Sequence, residues 1–148
     1  MSPAGLVSLT VGLTCGAAAA QRIIERQRRR KLRQLASEWR MNFNAKDQLR
    51  LAARVAHFFP IPGAANVMVG DVIYGIDGEV YRYVFTAEYT LGVLRTKRRY
   101  LRVACFAEPR DRNRPLPSEP VLLAPLRLPL LEQYQVFSPS AKRVSGIS

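Results

Sequence analysis

Histidine and cysteine are scarce in this chain of 148 residues, which holds one of the first and two of the second. One histidine, His57, with Cys15 and Cys105, cannot assemble a zinc set, and two cysteines make no disulfide framework. Also missing are a phosphate-cradling Gly-x-x-x-x-Gly-Lys-Ser/Thr loop, a Gly-x-Gly-x-x-Gly turn, a Gly-x-Ser-x-Gly elbow and a His-Glu-x-x-His helix. His57 stands beside Phe58 and Phe59 with no nucleophile or orienting partner in its pattern. Cys105 lies among Val103, Ala104 and Phe106, the setting of an inert buried thiol. These absences argue against an enzyme, and no catalytic residue, cofactor or metal ligand is assigned.

The longest stretch without charge stands at the start of the sequence. No side chain from Met1 to Gln21 is ionisable in the acid–base sense apart from Cys15, and residues 3–20 are an unbroken run of small and apolar types. As a helix these 18 residues span ~27 Å, close to the hydrocarbon thickness of a bilayer. With few Leu and Val the run inserts only marginally on a transfer scale. The residues next to it strengthen the case. Arg22, Arg26, Arg28, Arg29, Arg30, Lys31 and Arg33 face a single acid, Glu25. Such a collar stays cytoplasmic and attracts anionic headgroups, so Arg28, Arg29, Arg30, Lys31 and Arg33 are the expected lipid contacts.

A cleaved secretory signal is the competing reading, because Ala18-Ala19-Ala20 resembles a cleavage site. Against it, the start carries no Lys or Arg, and the basic stretch would resist translocation. A soluble helix or mobile tail is the third reading. Ser8, Gly12, Gly16 and Ala20 recur every fourth residue, and Gly12 and Gly16 are the expected helix-association pair of a homodimer. Chance spacing in an Ala/Gly-rich segment is the alternative.

Half of the net charge of +12 lies in residues 22–33, and the other half lies outside them. The remainder of the chain is therefore basic in its own right. Leu32, Leu35, Ala36 and Trp39 recur at helical spacing, so the basic helix is expected to run to about residue 40, with Trp39 packed in the core. Asn44 is expected to cap a second helix over residues 45–58, with Asp47 in its first turn. Leu49, Ala52, Ala53, Ala56 and Phe59 are its expected apolar face, and Pro60 and Pro62 end it.

Beyond these prolines the chemistry is that of strands. Residues 66–74 are rich in Val, Ile and Tyr, and Asp77-Gly78 is a hairpin signal. Tyr81, Tyr83, Phe85, Ala87 and Tyr89 then alternate with Val80, Arg82, Val84, Thr86 and Glu88. Gly92 marks a second reversal before a strand over residues 99–107. Asp71, inside an apolar run, either sits buried in a strand or opens it and faces solvent or an arginine, the second being favoured. Seven of the ten prolines lie between Pro109 and Pro139, yet residues 121–131 are rich in Leu. One more strand at 121–124 and an irregular stretch to 136 are expected.

The expected fold class is therefore α+β: an N-terminal membrane and juxtamembrane helix, then a second helix packed on an antiparallel β-meander of about four strands. The segments are 1–21 (transmembrane anchor), 22–40 (basic juxtamembrane helix), 41–137 (small α+β domain) and 138–148 (mobile tail).

The pattern Ile73-Tyr74-Gly75-x-x-Gly78-x-x-Tyr81-x-Tyr83-x-Phe85-x-x-x-Tyr89, with Leu128-Pro129-Leu130 later, resembles a group of small bacterial proteins without an established activity. The likeness covers residues 39–139. It implies a membrane segment ahead of a helix and an antiparallel sheet, and carries over no activity.

Two partners fit the basic residues. In the first reading, a single-pass membrane protein holds a cytoplasmic, non-enzymatic interaction or scaffolding domain against an anionic lipid surface, which the basic residues of 95–99 contact together with the collar. In the second, Arg95, Lys97, Arg98, Arg99 and Arg102 bind nucleic acid through phosphates, with Tyr81 and Tyr83 offering bases a stacking platform. The uncharged N-terminal run favours the first, since a soluble nucleic-acid binder has no use for it.

Overall fold

Between Pro3 and Glu38 every residue is helical, forming α1 without a break at the start of the basic collar. The structure is a computed structural model that describes residues 2–117 and 119–139. The chain divides into two units, Met1–Lys31 and Leu32–Ser148. The second unit adds β1 (Asn42–Lys46), α2 (Leu51–Ala56), β2 (Ala65–Asp77), β3 (Val80–Leu91), β4 (Arg98–Pro109), β5 (Val121–Leu123) and α3 (Leu130–Val136). The fold class is α+β, and the five strands form one antiparallel meander in chain order.

The strand that local pattern does not reveal is β1. Asn44 caps no helix: it lies in β1 opposite Val72, and its side-chain amide donates to Gln48 Oε1 at 3.0 Å. Pairing with β2 takes up the inner backbone edge of residues 42–46. The cap is Asp47, whose two carboxylate oxygens accept from the Leu51 and Ala52 amides at 2.7 and 2.9 Å. Arg50, at φ +54°, turns the chain just before α2. The helix is therefore six residues long and not fourteen. Its buried face is Leu51 and Val55 at i, i+4 spacing, whereas Leu49, Ala53 and Ala56 are exposed.

The β2–β3 turn is one residue further along than Asp77-Gly78 suggests. Asp77 pairs with Val80, so Gly78 and Glu79 form the two-residue loop, with positive φ at Gly78 alone. That is the dihedral pattern of a II′ turn, whose twist suits a right-handed hairpin.

Both sheet faces are covered, where the sequence suggested a helix on one. Leu32 and Ala36 at the end of α1, with Tyr134 of α3, pack on Ile73, Val84, Val103 and Cys105, and Trp39 lies half-buried against them. Leu51 and Val55 pack on Val72, Phe85, Ala87, Ala104 and Phe106 on the other side. The alternation in β3 thus separates two buried faces, and Arg82 and Thr86 are buried with Val84 on the first.

Asp71 does not open a strand, since β2 starts six residues earlier. It is buried at a register shift between Gly70 and Ile73, at φ +47°. An extra residue here shifts the phase of the strand, so that Val69 and Val72, three residues apart, serve the same core. The stretch expected to be irregular contains α3. Its Gln133 accepts the Val103 amide at 3.0 Å and donates to the Leu128 carbonyl at 2.8 Å, taking up the β4 edge where β5 ends. The expected tail lies, from residue 140 onward, outside the described residues.

Candidate functional site

The apolar part of α1 is a surface with nothing on it. One window of 18 residues is long and apolar enough to cross a membrane, and none of it is buried. Its hydroxyls are internally satisfied: Ser8 donates to the Ala4 carbonyl at 2.9 Å, Thr10 to Leu6 at 3.1 Å and Thr14 to Thr10 at 3.0 Å. Such back-bonding lowers the cost of taking a hydroxyl out of water. Gly12 and Gly16 are exposed, and a Cβ built on either meets no atom within 4 Å.

Helical phase sorts the collar. At 3.6 residues per turn, Arg22, Arg26, Arg29, Arg30 and Arg33 fall on an arc of about 100°. Leu32, Leu35, Ala36 and Trp39 fall on another side, the one that meets the sheet. Arg29, Arg30 and Lys31 are exposed and Arg28 is half-buried. Arg33, at the domain end, holds its guanidinium 5.8 Å from the centre of the Phe43 ring.

The second basic group lies at the β3–β4 reversal. Arg95, Lys97, Arg98 and Arg99 are all exposed there, and Arg99 forms an ion pair with Glu88. Arg102 belongs to the framework: its Nε and Nη2 donate to the Ala124 carbonyl at 3.1 and 2.5 Å. The aromatics singled out with these cations lie elsewhere. Tyr81 pairs with Glu108 near the opposite end of β3, ten residues from Leu91, which pairs with Arg98. At 3.3 Å per strand residue that separation is ~33 Å.

Tyr81 is exposed, but Tyr83 is not an open platform. Arg54 lies 5.3 Å from its ring centre, and Phe106 stacks at 6.0 Å. Phe85 and Tyr89 are fully buried.

Arg54, Glu108 and Tyr83 form a small polar cluster over this face. Arg54 Nη1 meets Glu108 Oε1 at 2.5 Å, and the Tyr83 hydroxyl donates to Glu108 Oε2 at 3.3 Å. Burial acts to lower the Arg54 pKa, but hydrogen bonds and charge from Glu108 and Tyr83 hold it above the ordinary value. Burial also pushes the Tyr83 phenol up, aided by the Glu108 charge and opposed by Arg54. No local pattern signals this cluster, because its members come from α2, β3 and β4.

Clefts also indent this surface. One of about 470 Å³ is lined by Glu79, Tyr81, Arg110, Asp111 and Arg114, with Arg114 ion-paired to Glu79. Another, about 360 Å³, lies beside Phe58, Arg102 and the β5 edge. His57 is exposed and Cys105 buried. Among the described residues no three of His, Cys, Asp or Glu come together as a metal site.

Family models, curated proteins and solved structures offer no match to this chain. The functional reading therefore rests on the chain's own chemistry.

Proposed function

We propose that this is a bacterial single-pass membrane protein whose α+β unit is a non-enzymatic interaction or scaffolding module on the cytoplasmic side. One observation carries the reading: an unburied, uncharged helical window runs directly into seven basic residues against one acid. The window supplies apolar length, and the collar sets orientation, because Lys and Arg next to a span are retained in the cytoplasm. Arg28, Arg29, Arg30 and Lys31 then meet anionic headgroups, with attraction of ~1 kcal/mol per basic residue near the surface.

The test is fractionation of the tagged full chain, with membranes washed first in high salt and then in alkaline carbonate. Retention through both supports the integral anchor. Release by salt alone means that the basic surface holds the protein, and recovery in the soluble fraction overturns the reading and turns attention to nucleic acid. Protease protection in sealed right-side-out vesicles checks the side on which the domain lies: digestion from outside contradicts the cytoplasmic placement.

A further inference from the structure

Val93 and Leu94 are 75% and 83% exposed, the most exposed large apolar side chains among the described residues. Both stand at the β3–β4 reversal, and the loop that presents them is built and not loose. Leu94 sits at φ +51°, a conformation unfavourable for a leucine. Gly92 at φ +103° allows it, because a Cβ there would stand 2.6 Å from the Thr96 carbonyl oxygen. Thr96 closes the turn by donating its hydroxyl to the Val93 carbonyl at 2.9 Å. Backbone strain held in place at an exposed tip points to a use for the presented side chains.

The charge around the tip says what that use is. Arg95, Lys97, Arg98 and Arg99 flank it, all exposed, and no acid occurs from residue 89 to residue 107. Glu88, the nearest preceding acid, is ion-paired to Arg99. An apolar point surrounded by cations matches a bilayer interface with anionic headgroups, where the apolar groups enter the acyl boundary and the cations meet phosphates. Nucleic acid would use the cations and leave Val93 and Leu94 in water.

We propose that the β3–β4 tip is a second membrane contact, in which Val93 and Leu94 insert into an anionic leaflet and Arg95, Lys97 and Arg98 bind its headgroups. The inference deepens the anchored reading and rests on it for the proximity of the membrane.

The test uses the full chain in nanodiscs of phosphatidylcholine, with or without phosphatidylglycerol. A nitroxide is placed at Leu94→Cys in a Cys15→Ala background, and at Glu79→Cys on the other hairpin as a control. In discs with phosphatidylglycerol, the label at 94 is expected to collide more with oxygen than with a water-soluble nickel reagent, and the label at 79 to show the opposite order. Arg95→Glu, Lys97→Glu and Arg98→Glu together should return the label at 94 to the order seen at 79. A label at 94 that stays in water on disc-bound protein overturns the tip contact and leaves the anchor standing. Protein that binds anionic discs but is stripped by carbonate loses the anchor, while its label still decides the tip. Protein that does not associate with the discs overturns both. Equal burial of the label in discs lacking anionic lipid, or in the absence of lipid, assigns the tip to other contacts and also overturns the proposal.

Discussion

Tyr134 in α3 donates its hydroxyl to the backbone carbonyl of Asp71 at 2.6 Å, and both residues are buried. The bond ties α3 to the β2 bulge, across 63 residues of sequence. It gives a buried backbone carbonyl at the bulge a side-chain donor.

Tyr134→Phe keeps the ring and removes the donor. The expected loss is ~1 kcal/mol, the net contribution of a buried hydrogen bond. Thermal unfolding of the full chain in detergent, followed by circular dichroism, checks it; an unchanged midpoint would show that α3 is held by packing alone.

Asp47→Ala leaves the Leu51 and Ala52 amides without their acceptor, and ~1 kcal/mol of stability should go with it. Asn44→Ala, by contrast, removes an exposed contact to Gln48 and should stay within ~0.5 kcal/mol of the parent. The two midpoints measured side by side test the cap assignment, and the reverse ranking contradicts it.

Burial raises the folded-state pKa of Tyr83 above its ordinary 10.0. The unfolded chain then gives up this proton first, so the stabilisation is complete below the ordinary value and is lost as pH rises through the folded one. Tyr83→Phe should be less sensitive to alkali than the parent. Parallel unfolding curves through the alkaline range would contradict this.

Gly12→Leu with Gly16→Leu should abolish crosslinking of the full chain in membranes if the two helices meet through that face. A double variant that crosslinks as well as the parent removes the association.

Much of α1 was legible because a helix of this length announces itself in local composition: an uncharged run, a basic run, then an apolar stripe. The hairpin strands were legible for a similar reason, since alternation and Gly78 act within a few residues. Three features were not. β1 has five residues and no alternation strong enough to outweigh the cap-like Asn44; its identity comes from pairing with β2. α3 has seven residues between prolines, about two turns and too short a window to establish a periodic stripe, and it is held by Gln133 and Tyr134 reaching β4 and β2. Arg102 reads like its basic neighbours, but only the return of β5 places the Ala124 carbonyl within its reach.

By itself, then, the sequence determined what short-range physics decides: the uncharged helix, the position of the collar, the hairpins and the α+β class. Tertiary structure decided the rest. It separated Tyr81 and Tyr83 from the cations of the β3–β4 tip, turned Arg102 inward and buried Asp71 at a bulge. It also left Val93 and Leu94 in the open. The physical reason is that a side chain's partners, and hence its freedom to meet a ligand, are set by strands and helices distant in sequence.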